Sequence, residues 1–94
     1  LKTPKQADFR VQEEHGGIIK SIVPEPSLLQ TAREVLGLIR PQPLYSRIDL
    51  VRTEKNQFAL MEVELIEPSL YFSYSEPSAA LFADTVHRWM HQNI

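Results

Sequence analysis

Ninety-four residues make one small domain or a piece of a larger one, near the size at which a single core only marginally stabilises a fold. Hydrophobic content of 43% with 23% charged residues describes a globular rather than a disordered chain. A net charge of −2, with lysine and arginine scattered along the sequence, leaves no basic stripe to track a phosphate backbone, so nucleic acid is not an expected partner.

The absence of cysteine excludes a disulfide framework and any thiolate metal site, which fits a cytoplasmic location and equally fits any other compartment. No apolar run approaches the roughly 20 residues that span a bilayer, and no basic segment followed by an apolar one opens the chain, so neither membrane insertion nor secretion is expected. The chain opens at Leu1, with Lys2, Pro4 and Lys5 ahead of a strand-like run, and is read as cut from something longer.

In chain order, the aromatic and β-branched run Asp8 to Gln12, the pair Gly16-Gly17 and the apolar run Ile18 to Val23 read as two strands joined by a turn. Between Pro26 and Arg40 the residues Leu28, Leu29, Ala32, Val35, Leu36 and Ile39 recur at helical spacing, with Ser27 as a cap and Pro41 as a stop. Leu44 to Arg52 and Gln57 to about Leu65 flank the polar stretch Thr53 to Asn56 and predict a hairpin. After the aromatic run Tyr71, Phe72 and Tyr74, a terminal helix presents Ala79, Ala80, Ala83, Val86, Trp89 and Met90 on one face. The resulting β-β-α-β-β-α order predicts an α+β fold, a mainly antiparallel sheet flanked by two helices.

Strand alternation sorts the hairpin into faces. Leu44, Ser46, Ile48 and Leu50 share one side of the outgoing strand, and Tyr45, Arg47, Asp49 and Val51 the other. In the return strand Ala59, Met61, Val63 and Leu65 form an apolar face, leaving Phe58, Leu60, Glu62 and Glu64 opposite. A turn centred on Lys55-Asn56 sets Asp49 across from Glu62 and Arg47 across from Glu64, all four on one side. One arginine cannot neutralise three carboxylates, and a divalent cation with oxygen ligands would. A solvated face whose charges keep the strand soluble, with Arg47 ion-paired to Glu64, is the alternative.

Arg47-Ile48-Asp49, followed a dozen residues later by Met61-Glu62-Val63-Glu64, resembles the R-x-D … E-x-N signature of the ATP-grasp ligases, such as D-alanyl-D-alanine ligases, glutathione synthetases and ribosomal-protein glutamate ligases. Asp8-Phe9-Arg10-Val11-Gln12-Glu13-Glu14-His15-Gly16-Gly17 resembles the [D/E]-F-R-x-[N/Q]-x-x-x-G-G segment of glutathione synthetase and glutamate-ligase relatives. Glu62 to Leu70 is similar to a subgroup carrying E-x-E-L-I-E-P-S-L.

The resemblance implies that Asp49, Glu62 and Glu64 bind magnesium, with manganese as a substitute, although Glu64 stands where asparagine is usual. It further implies that Arg47 contacts the γ-phosphate or acyl phosphate of an ATP-dependent reaction, and that Arg10, Gly16 and Gly17 lie on the substrate side. The implied activity joins a carboxylate to an amine through an acyl phosphate. The implied fold is the C-terminal portion of an ATP-grasp domain over residues 1–94. Its nucleotide lobe is N-terminal and absent, so the piece alone is expected to be inactive, and its exposed sheet face is expected to favour self-association into a homo-oligomer. The competing readings are a non-catalytic α+β interaction module and a degenerate relative that binds nucleotide without ligating.

Asp84, His87 and His91 fall on one side of the terminal helix and could in principle hold zinc, but no fourth ligand is evident and they read as an exposed polar face. Trp89 and Met90 on the apolar side read as core, and Tyr71, Phe72 and Tyr74 as packing beneath a loop rather than stacking on a base.

Overall fold

The computed structural model describes residues 1–3 and 17–93. The expected strand over residues 8–12, together with Arg10 and Gly16, lies outside the described residues. Lys2–Thr3 forms β1 and pairs antiparallel with β2, Ile18–Ile19, matching Lys2 with Ile19 and Thr3 with Ile18. The backbone nitrogen of Leu1 donates to the Lys20 carbonyl at 2.8 Å and the Lys20 N–H donates back to the Leu1 carbonyl at 2.8 Å, extending this short ladder. Of the apolar run expected as one strand from Ile18 to Val23, only its first two residues form the strand.

Helix α1 runs from Pro26 to Gly37. Proline is tolerated in a first turn because its missing N–H would have no intrahelical acceptor there. The cap is Glu25 rather than Ser27, whose hydroxyl instead donates to Glu25 Oε1 at 3.0 Å. The half-buried residues Leu28, Thr31, Ala32, Val35, Leu36 and Ile39 repeat at helical spacing and mark the side of α1 laid against the hairpin. The helix ends earlier than Arg40, with Leu38 N–H and Ile39 N–H donating three residues back to Val35 and Leu36.

Strands β3, Arg47–Arg52, and β4, Phe58–Glu64, form a separate antiparallel pair, so the described residues hold two small sheets instead of one continuous sheet. The molecule is α+β. The loop is three residues long and centred on Lys55: Asn56 N–H reaches Thr53 O at 2.9 Å, Thr53 N–H reaches Gln57 O at 2.7 Å, and Asn56 takes a left-handed φ of 59°. Asparagine is among the few side chains that adopt this conformation at low cost.

This loop sets the pairs Arg52–Phe58, Val51–Ala59 and Leu50–Leu60, one residue away from the register that a centre between Lys55 and Asn56 predicts. A bulge at Met61 then shifts the ladder back, and the pairs Asp49–Glu62, Ile48–Val63 and Arg47–Glu64 follow. The bulge also corrects the expected faces. Because paired residues share a side, Phe58 and Leu60 join Ile48, Leu50 and Val63, while Ala59 joins Val51 on the charged side.

The chain then passes a 3-10 turn, Phe72–Tyr74, into helix α2, Glu76–Asn93. Phe82 anchors α2, its ring 5.1 Å from that of Tyr45 and 5.4 Å from that of Phe72. Trp89 and Met90, expected in the core, are 44% and 48% exposed: they lie in the half of α2 beyond Phe82, past the reach of its aromatic anchor. No described residue is fully buried. The radius of gyration of 15.0 Å exceeds the roughly 12 Å of a compact chain this long. No helix among the described residues is long and apolar enough to cross a membrane.

Candidate functional site

The charged face of β3–β4 converges on one guanidinium. Arg47 donates from Nε to Asp49 Oδ1 at 3.0 Å and from Nη2 to Asp49 Oδ2 at 3.1 Å, a two-pronged contact that matches the planar fork to the carboxylate. Its Nη2 also bonds Glu64 Oε1 and stands 3.7 Å from Glu62 Oε2. Its Nη1 reaches the carbonyl of Ser69 at 3.3 Å, tying the segment after β4 to the sheet. Asp49 and Arg47 expose only 10% and 16% of their side chains, whereas Glu62 exposes 51%.

Spacing along the strands brings Arg47, Asp49, Glu62 and Glu64 together as expected. Tertiary packing adds two residues that the sequence pattern does not reveal. Lys2, from the other sheet, places Nζ 3.2 Å from Asp49 Oδ2. Tyr71, in a left-handed conformation with φ 55°, sets its ring 5.2 Å from Lys2 Nζ and 5.6 Å from Arg47 Cζ, within cation–π range of both. A tyrosine with positive φ is strained, and such strain persists only where surrounding contacts hold it.

The formal balance is therefore three carboxylates against two cations, with one negative charge left over, and the half-exposed Glu62 is where water most readily screens it. Burial alone favours a neutral Arg47. Its bond to Asp49 and the charges of Asp49 and Glu64 outweigh that cost, so its pKa lies above the ordinary arginine value.

Gly17 immediately precedes β2, whose partner strand carries Lys2. At the opposite end of the hairpin, Arg52 bonds Glu25 Oε1 at 2.9 Å and Asn56 Oδ1 at 2.8 Å, and lies over the Phe58 ring at 4.5 Å. The first bond fastens the start of α1 to the apolar side of the sheet. The Arg52 hydrogen bond, followed by that from Ser27, holds the Glu25 carboxyl below its ordinary pKa.

Comparison with protein-family models, curated proteins and solved structures finds no match. Three carboxylates on one side of a sheet are hard oxygen donors of the kind magnesium takes, and the donor set fits that ion. In the arrangement observed, the guanidinium takes the place of such an ion between them, and among the described residues no group of three or more His, Cys, Asp or Glu side chains stands ready to hold a metal.

Proposed function

We propose that this chain is part of an ATP- and magnesium-dependent carboxylate–amine ligase and that β3–β4 is its cation- and phosphate-handling hairpin. The observation that carries the reading is the register: Asp49 opposite Glu62 and Arg47 opposite Glu64, on one face, as the R-x-D … E-x-E spacing requires. Asp49, Glu62 and Glu64 would hold magnesium, or manganese in its place, which when bound supplies positive charge to the phosphate oxygens.

In such a reaction a carboxylate oxygen attacks the γ-phosphorus of ATP as the bond to ADP breaks. The amine then attacks the acyl carbon, inorganic phosphate leaves, and the amine gives up a proton. Phosphoryl transfer depends chiefly on position and charge, and Arg47 suits both requirements. Its fork exchanges carboxylate oxygens for phosphate oxygens without changing the kind of bond it makes. Ser69 and Tyr71 bear on the same guanidinium and keep it near the face during that exchange. The base and ribose of the nucleotide require a lobe beyond the elements described, and Arg10, Gly16 and Gly17 are assigned to the acceptor side. A cytoplasmic location accompanies the dependence on ATP.

One observation favours a second reading. The carboxylates already have partners in Arg47 and Lys2, as expected of a non-catalytic interaction module or of a relative that binds nucleotide without ligating. The experiment is ADP release by the intact protein with a panel of carboxylates and amines, alongside manganese titration of wild type and Glu62→Ala. Amine-dependent ADP release and manganese binding, both lost in the variant, support the ligase. Manganese and nucleotide binding without turnover on any pair supports the degenerate relative, and no cation binding supports the interaction module.

A further inference from the structure

Helix α2 carries a second constellation far in sequence from the acidic hairpin. His87 and His91, four residues apart on an exposed face, bring their Nε2 atoms to 3.1 Å with the rings nearly perpendicular, 87° between planes and 4.3 Å between centroids. We propose that this pair is a two-imidazole site for a borderline divalent ion, Zn2+ or Ni2+.

The separation carries the inference. Two nitrogens each about 2.0–2.1 Å from one ion stand about 2.9 Å apart at a right angle and about 3.3 Å apart at the tetrahedral angle. The observed 3.1 Å lies between these values, so one ion can take both nitrogens once each ring turns its lone pair about 40° off the line between them. A hydrogen bond between two imidazole nitrogens also requires one of them to be bare, with its lone pair directed at the other. An ion that takes the place of the shared hydrogen meets that lone pair, and meets the second once the donor ring's proton has moved through water from Nε2 to its bare Nδ1.

Imidazole selects zinc, nickel and copper over magnesium, which takes oxygen, so this site and the acidic face prefer different ions. The described residues supply no third His, Cys, Asp or Glu that could join it. The remaining coordination positions therefore face solvent and take water or an external ligand, as in open metal sites. Bridging residues four apart closes one turn of helix, so the bound ion stabilises the C-terminal part of α2.

The test titrates the full chain with Zn2+ and Ni2+ by calorimetry and follows α2 by circular dichroism on heating. With excess Mg2+ present to occupy the acidic face, wild type is expected to bind one ion with micromolar affinity and to unfold at a higher temperature once Ni2+ is added. His87→Ala and His91→Ala each weaken binding by about tenfold or more and abolish the shift in unfolding temperature. Alanine is the better helix former, so loss of binding in these variants does not arise from loss of the helix. Asp84→Ala leaves the affinity unchanged, and raising Mg2+ further does not compete. Saturation only at millimolar metal, equal affinity in either histidine variant, or displacement by Mg2+ would overturn the site.

Discussion

With the guanidinium of Arg47 removed, Asp49, Glu62 and Glu64 face one another with Lys2 as the remaining described cation, and the least exposed of the three carboxylates, Asp49, loses both prongs of its contact. Arg47→Ala is expected to cost about 2 kcal/mol in chemical denaturation, the range of a charged hydrogen bond lost from a partly buried site. Arg47→Lys recovers only part of that, because an ammonium cannot reproduce the fork. Adding Asp49→Asn to Arg47→Ala should restore stability by removing a like charge, and a double variant less stable than the single one would show that repulsion is not what the arginine relieves.

Glu25 gives a pH dependence of defined sign. Its folded pKa lies below the ordinary value of 4.5, so it contributes stability that is present above that value and lost as pH falls through the folded value. Glu25→Gln should flatten the acid limb of the stability profile while leaving neutral pH little changed, since the pair is exposed.

At the scale of elements, the hairpin shows how two local features combine. The loop centred on Lys55 moves the register by one residue and the bulge at Met61 moves it back, so the acidic pairs fall where a simple turn would have put them while Phe58 and Leu60 change sides. Helix α2 depends on fewer contacts. An 18-residue helix is only marginally stable alone in water, and the ring of Phe82 against Tyr45 and Phe72 holds this one to the rest of the chain. Phe82→Ala should cost about 2 kcal/mol and lower the helical signal by circular dichroism, less than a fully buried phenylalanine would because Phe82 is only half-buried. Leu81→Ala, at a position 63% exposed, should change neither reading, and equal losses in both variants would remove Phe82 as the anchor.

For the molecule as a whole, the decisive quantity is burial. No described residue is fully buried, and Ile22, Val23, Leu60, Met61, Ile66, Trp89 and Met90 are each at least 45% exposed or nearly so. Hydrophobic stabilisation scales with apolar area removed from water, so the described residues have little of it and gain from any surface that covers them. Unfolding in urea should be broad, with bound hydrophobic dye before the transition, and the midpoint should rise with protein concentration as copies cover one another. A sharp transition at a midpoint independent of concentration would mean that the chain is self-sufficient.

The sequence by itself determined the elements whose cause is local. Period-two alternation marked β3 and β4, period-3.6 spacing marked α1 and α2, and the separation of Arg47-x-Asp49 from Glu62-x-Glu64 placed four charges on one face, because these patterns follow from backbone geometry alone. Even there the loop centre and the faces of Phe58 and Leu60 were hidden, since a bulge leaves no mark in alternation. Tertiary structure alone decided that Lys2 would approach Asp49 from 47 residues away, that Tyr71 would lie beside Arg47, and that Trp89 and Met90 would stay about half exposed. Each depends on how separate elements meet in space, and no periodicity within a segment encodes that.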